Sequence, residues 1–305
     1  MKKRNLIILI LTAAILFLSF SACAPSSQTS ETQGDTFRFE DFAGSEVSDI
    51  QKVDLDKDLS EKCTSYKFTY LSDGYRINAY ISIPNSSLNS KEPTKCVLFN
   101  RGGNRDFGRL DSNATANICS ICNRIVIASQ YRGADGSEGS DQFGGDDLHD
   151  VIKLIDLCEN NFTFVDMDDF CVSGSSRGGM MTYMAARQDK RIKRIIAISA
   201  ASDLFDLYEC RDDMKSVLLE TIGCTPQDNP AEYEKHSAIR WYDEIKVPVL
   251  ILHCKKDNQV PFRQAEAMYE KLKDSTECKF ITHDDNIHGT IHKEDIPAIQ
   301  DWLNN

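Results

Sequence analysis

"FCVSGSSRGG" (residues 170–179) sets a short apolar run against two serines fenced by glycines. A strand gains nothing from glycine at Gly174, and Gly178 and Gly179 weaken a helix. The spacing Gly174-Ser175-Ser176-Arg177-Gly178 is a G-x-S-x-G pattern. Between a strand and a helix, that pattern forms a sharp elbow whose central residue is strained and exposed. Side chains at the two outer positions would collide with the neighbouring strand and helix. Glycine removes the collisions and leaves Ser176 open beside the first N–H groups of the helix. The letters alone also suit a serine-rich β-turn, so the flanking elements and a matching acid and base decide the reading.

The flanks have the right rhythm. "YKFTY" and "INAYISIP" surround Ser72-Asp73-Gly74-Tyr75 and read as a hairpin. "KCVLFN" (95–100), "RIVIAS" (124–129), "FCVSG", "IKRIIAISA" (192–200), "VPVLILH" (247–253) and "CKFIT" (278–282) are continuous apolar strands. Helical patterns separate them, near Gly108–Ile121, over Leu148, Val151, Ile152 and Ile155, over 178–188, over Ala265, Met268, Tyr269 and Leu272, and over Ile296, Ile299 and Leu303. This is an α/β chain with a mostly parallel central sheet covered by helices on both faces and antiparallel strands at one edge. Residues 203–245 break the alternation as a short helical excursion before the strand that ends near Asp257. No internal repeat is present, and no propeller-like second domain fits the length.

A serine hydroxyl becomes a good nucleophile when a histidine takes its proton and an acid orients that histidine. In open α/β sheets such groups gather beyond the C-terminal strand ends. Asp257 follows "VPVLILHCKK", with Asp203 after the preceding strand as the competing acid. Of six histidines, His288 in "HDDNIHGT" lies on the loop after the last strand, where the base is needed. His283 ends that strand, and His292 falls one helical turn beyond His288; both read as surface residues. His288 and His292 could chelate a metal, but "HGTIH" lacks the glutamate of H-E-x-x-H, and no metal is expected. An oxyanion would be met by the backbone N–H of Arg177 and by a donor from Asn100-Arg101-Gly102-Gly103-Asn104, with Arg101 or Gly102 supplying it.

The chain starts differently. Lys2, Lys3 and Arg4 precede an apolar run from Leu6 to Phe20, then Ser21, Ala22 and Cys23. This is the layout of a secretory signal over residues 1–22. "FSAC" resembles the lipobox of bacterial lipoproteins, with Phe20 where that pattern prefers Leu, Val or Ile. The resemblance implies a lipid-modified Cys23 and an exported, membrane-anchored protein; composition and the strand–helix alternation place a tether over 23–45 and a catalytic domain over 46–305. An uncleaved anchor is the alternative, but the run is short for a span. Removing the leader deletes three positive charges and moves the net charge from −12 to −15. So acidic a chain repels nucleic acid and anionic headgroups, leaving the lipid as its only membrane contact. Eleven cysteines suggest disulfides in an exported protein, yet Cys96, Cys171 and Cys254 sit in apolar strands and Cys158 ends a helix. Mostly buried thiols are expected, with one or two bridges left open. The Cys119-x-x-Cys122 pair has no second pair at metal spacing.

"SGSSRGG", "LHCKKDNQVP" and "NIHG", in this order, resemble the catalytic domain of the prolyl oligopeptidase family of serine peptidases. "SQYRGADGSEGSDQFGGDDLHDV" (129–151) and "PAEYEKHSAIRWYDEIKVPVLILH" resemble its flanking segments. The resemblance covers roughly residues 66–303. It implies the α/β-hydrolase fold, a Ser176–Asp257–His288 triad, acyl-enzyme chemistry, peptide substrates and no cofactor. Many members carry a tyrosine in the oxyanion loop where this chain has Arg101. The same triad serves a carboxylesterase acting on sugar or phenolic esters. A solute-binding lipoprotein with an inactive hydrolase fold is the reading from another functional class. Oligomeric state stays open.

Overall fold

The computed structural model describes residues 37–305. The leader, Cys23 and the tether as far as residue 36 lie outside the described residues. Nine strands among the described residues make one sheet: β1 (Val47–Val53), β2 (Cys63–Ser72), β3 (Tyr75–Pro84), β4 (Thr94–Asn100), β5 (Ile125–Ser129), β6 (Val165–Ser175), β7 (Arg194–Ile198), β8 (Val249–Cys254) and β9 (Cys278–His283). Their order across the sheet is β1-β2-β3-β5-β4-β6-β7-β8-β9. The edge β1-β2-β3 is antiparallel, and β3 meets β5 antiparallel. From β5 to β9 every neighbouring pair is parallel. The β2–β3 hairpin closes at Ser72 and Tyr75. Asp73 (φ 50°) and Gly74 (φ 83°) between them are both left-handed, as a two-residue hairpin turn of matching twist requires.

The apolar strands are continuous because both faces are covered. In β4, Cys96 and Leu98 enter one core while Val97 enters the other; Ile125 and Ile127 oppose Val126 in β5, and Val249 and Ile251 oppose Leu250 and Leu252 in β8. The helices Asp147–Asn160, Arg177–Gln188 and Phe262–Leu272 contribute to the first core. The helices Ser112–Cys122 and Ile296–Asn304 contribute to the second. Between β7 and β8 the excursion forms the helices Leu204–Cys210, Asp212–Ile222 and Pro230–Lys235.

Two boundaries differ from the sequence reading. The folded unit begins before residue 46. Phe39 is fully buried against Tyr66, Phe68 and Phe162 at ring-centroid distances of 5.2–5.4 Å, and β1 adds an edge strand whose mixed polar pattern hides it from an apolar scan. Similarly, β6 starts at Val165 rather than at Phe170, with a register shift after the pairs Lys95–Asp166 and before Cys96–Phe170. The bulge carries Asp169, paired with Lys95 at 2.7 Å and Arg124 at 3.1 Å. None of the ten described cysteines is bridged, and six of them are buried.

Because Phe39 anchors the segment that leads into the domain, Phe39→Ala should destabilise the protein by about 3–5 kcal/mol, in line with burial of a large aromatic. The urea midpoint of the variant measures this. A midpoint equal to that of the parent chain would return residues 37–45 to the tether.

Candidate active site

Parallel pairing brings the ends of β4, β6, β7 and β8 to one edge. Gly174 stands beside Asn100 of β4 and Ala197 of β7. There the chain turns into the helix Arg177–Gln188, and Ser176 at the turn has φ 57° and ψ −122°. A non-glycine residue in such backbone stores on the order of 1–3 kcal/mol of strain. Packing imposes it: a Cβ on Gly174 would lie 2.6 Å from Thr182 Oγ1, and one on Gly178 would lie 2.5 Å from the Arg101 carbonyl. The Ser176 N–H donates to the Ile198 carbonyl at 2.8 Å, while its own carbonyl accepts from Gly179 at 3.0 Å.

Asp257 and His288 come together from different strand ends. His288 Nδ1 lies 2.7 Å from Asp257 Oδ2, and the carboxylate's other oxygen accepts the N–H groups of Gln259 at 2.8 Å and Val260 at 3.1 Å. Burial pushes the Asp257 carboxyl up, but His288 and these N–H groups more than offset it and hold it below its ordinary value. With Nδ1 engaged, His288 Nε2 is buried and has no hydrogen-bond partner. Ser176 and His288 line the same cavity of about 460 Å³. The competing acid, Asp203, is otherwise occupied: it caps the helix Leu204–Cys210, accepting from Phe205 at 3.1 Å and Asp206 at 3.3 Å.

The elbow's other serine has a role that sequence reasoning missed. Ser175 Oγ donates to the Gly289 carbonyl at 2.9 Å, and the Gly289 N–H donates to Ser199 Oγ at 3.0 Å. Two serines at the ends of β6 and β7 therefore grip the residue after His288. Gly289 has φ 70°, and a Cβ there would lie 2.5 Å from Ser175 Oγ. The motif "HG" was a signal for this close approach.

Arg101, expected with Gly102 as a source of the second oxyanion donor, commits its side chain to the loop itself. Its guanidinium is buried and spent on carbonyls, those of Gln130 (3.0 Å), Gly102 (3.1 Å), Phe107 (3.2 Å) and Arg105 (2.8 Å). It shapes the loop instead. Gly102 is the residue that reaches the elbow, its Cβ position being 3.2 Å from Ser176 Cβ. The N–H groups of Gly102 and Arg177 find no acceptor among the described residues, and the second of them is free by its place in the first helical turn.

The Arg177 side chain turns inward. It pairs with Asp141 at 2.7 Å and with Asp147, and donates to the Gly103 carbonyl at 3.1 Å. Its guanidinium also lies over Tyr131 and Phe143 at 5.2 and 4.9 Å. Burial pushes both carboxyls up; at Asp141 the arginine and two backbone N–H groups reverse the shift, whereas the fully enclosed Asp147 stays raised. The cavity's far wall comes from the excursion, through Leu207, Met214 and Val217, with Arg211 and Asp213 at 2.6 Å from each other beside it.

The pattern of the prolyl oligopeptidase family matches residues 114–304. An uncharacterized peptidase of Bacillus subtilis, YtmA, is 29% identical over 217 residues, which are 70% of this chain and 81% of that protein. Dipeptidyl-peptidase 5 of Aspergillus oryzae is 23% identical over 78% of this chain but only 35% of its own length. Among solved structures, the acylaminoacyl peptidase of Pyrococcus horikoshii superposes with a TM-score of 0.66 at 19% identity, over 79% of this chain and 40% of that one. Acetyl xylan esterase 1 of Thermoanaerobacterium superposes with a TM-score of 0.63 at 16% identity, over 85% of this chain and 87% of that one. These superpositions identify the fold as that of the α/β-hydrolases. With the family pattern extending over most of the chain from the helix Ser112–Cys122 onward, the chain belongs to the prolyl oligopeptidase family of serine peptidases.

Proposed function

We propose that this serine peptidase cleaves peptide bonds through an acyl-enzyme on Ser176, with His288 as base and Asp257 as the acid that orients it. The observation that carries this is the 2.7 Å Asp257–His288 contact, which leaves Nε2 buried and unpartnered on a histidine that lines the same cavity as Ser176. In this reading Nε2 takes the Ser176 proton as Oγ attacks the scissile carbonyl carbon. The N–H groups of Arg177 and Gly102 receive the developing oxyanion. As the intermediate collapses, the proton passes from His288 to the leaving amine, and water activated by the same histidine then releases the acyl group. The chemistry calls for no cofactor. The apolar wall formed by Leu207, Met214, Val217 and Val260 suits an apolar substrate side chain.

We extend the proposal to location. The basic, apolar and small-residue sequence ending at Cys23 supports export and a lipid anchor, with residues 24–36 as a tether.

Ser176→Ala should abolish labelling by a fluorophosphonate probe and lower kcat by on the order of 10⁴–10⁶, and His288→Ala should cost as much because the residues act as a unit. Asp257→Asn should cost less, about 10³–10⁴, since it disturbs orientation rather than removing the base. Ser175→Ala removes one hydrogen bond of ~1 kcal/mol behind the base loop and should cost roughly five- to tenfold. A dead Ser175→Ala beside an active Ser176→Ala would shift the nucleophile by one residue.

Arg101→Met should collapse the loop that presents Gly102 and lower kcat by as much as the ~10²–10³ that one oxyanion donor is worth. Unchanged turnover would remove that loop from the mechanism. A panel of dipeptidyl amides beside short acyl and phenolic esters tests the substrate class. Higher kcat/KM on every ester than on any amide would favour the carboxylesterase reading, and no turnover or labelling at all the solute-binding one.

Cys23→Ser should block lipid attachment and move the protein out of the membrane fraction. Membrane retention of a correctly processed variant would overturn the anchor.

A further inference from the structure

On the far side of the acid and base loops, three groups of different chemistry meet. β8 ends at Cys254, three residues before Asp257, while the loop after β9 carries Asp285 three residues before His288 and His292 four after it. Cys254 Sγ lies 3.4 Å from His292 Nε2, and the same Nε2 lies 3.5 Å from Asp285 Oδ2. All three ligand atoms fall within 4.8 Å of one another. Cys254 also hydrogen-bonds the Asp285 side chain, so each of the three groups faces the other two, and the thiol is the weakest hydrogen-bond partner among them. A cation between them satisfies all three.

The spacing fits one. Bonds of about 2.3 Å to sulfur, 2.0 Å to imidazole and 2.1 Å to carboxylate put tetrahedral neighbours about 3.5 Å apart for sulfur and nitrogen and about 3.4 Å for nitrogen and oxygen. The surroundings hold the ligands in place. His283 stacks on the His292 ring at 3.9 Å with an 11° tilt, and its own Nε2 donates to Asp295 at 2.8 Å. The Asp285 carbonyl accepts from the Lys256 N–H at 3.0 Å, and the His283 carbonyl from the Lys255 N–H at 2.7 Å. Lys255 pairs with Asp284 at 2.8 Å, so it does not compete for the Asp285 carboxylate. Asp285 is the most open of the three, which leaves one side for water.

We propose that Cys254 Sγ, the Asp285 carboxylate and His292 Nε2 form a three-ligand site for a divalent cation of the zinc type, with water in the fourth position. The mixed sulfur, nitrogen and oxygen set suits zinc and cobalt and disfavours magnesium and calcium. On binding, the thiol gives its proton to solvent and the thiolate takes the metal. Because Cys254 lies three residues before Asp257 while Asp285 and His292 flank His288, the ion clamps the base loop to the acid loop without touching the substrate.

Cobalt(II) is the probe. The full-length chain, stripped by chelator, should take up one cobalt per chain with a near-ultraviolet sulfur-to-cobalt charge-transfer band and the intense visible absorption of a tetrahedral site, and zinc should displace both signals. Cys254→Ser should abolish the charge-transfer band. The partly exposed His292→Gln should weaken cobalt binding by at least the ~10–100-fold that even outer-shell partners cost, and should lose the rise in thermal midpoint that zinc gives the parent chain. Ser176→Ala should bind cobalt like the parent, so a failure of the nucleophile assignment leaves this site intact. No sulfur-to-cobalt band in the parent chain would overturn the site. So would a band that survives Cys254→Ser, or a zinc-induced midpoint rise equal in His292→Gln.

Discussion

The Arg177 guanidinium is completely enclosed, and the arrangement of the active site hangs on how its charge is met. An arginine cannot shed its proton when buried, so partners must be brought to it. Asp141 and Asp147 supply two carboxylates, Gly103 a carbonyl, and Tyr131 and Phe143 their ring faces. They come from two stretches far apart in sequence, so satisfying one cation fixes several segments at once. The loop after β4 is held through Gly103, residues 141–147 at the start of the helix Asp147–Asn160 through the two aspartates and Phe143, and the elbow through Arg177 itself. Removing one partner of such a pair typically costs about 3–5 kcal/mol because the remaining charge is stranded. That is more than the backbone strain at Ser176, which explains how an unfavourable turn persists.

A second arginine extends the same logic. Arg101 lies 5.0 Å from the Tyr131 ring, which thus has two guanidiniums near it, and the tyrosine hydroxyl donates to the Arg101 carbonyl at 3.2 Å. A long cation at Arg101 folds the loop inward and brings the backbone at Gly102 up to Ser176. The consequence is a division of labour between adjacent residues. Ser176 lines the cavity while Ser175 reaches back to Gly289, and the Arg177 side chain faces the core while its N–H stays without an acceptor among the described residues.

The loop that carries His288 is tied down from both sides. Ser175 and Ser199 hold Gly289, and backbone hydrogen bonds at Lys255 and Lys256 zip the other end to the exit of β8. This matters because a long loop after the last parallel strand has little else to hold it. Asp257 has the same economy: one oxygen holds His288, and the other is consumed by its own turn. The excursion closes the space above them, with the Arg105–Glu220 pair at 3.1 Å joining it to the loop after β4.

Periodicity and residue order were enough to read the parallel sheet, the hairpin, the elbow and the choice of Ser176, Asp257 and His288 as candidates. Those signals are local: apolar runs, a glycine fence, and strand ends that follow one another along the chain. The edge strand β1 and the bulge in β6 were not legible, because polar residues there satisfy partners far away in sequence rather than a period. Nor could the letters say that Arg101 and Arg177 point inward, since a charged residue is buried only when its carboxylate or carbonyl partners arrive from elsewhere. The grip of Ser175 and Ser199 on Gly289, and the meeting of Cys254, Asp285 and His292, follow from the parallel register of β6, β7, β8 and β9. Sequence determined which elements form and which chemistry is available. Tertiary packing decided which polar atoms face one another, because that depends on distances between strand ends that no single segment encodes.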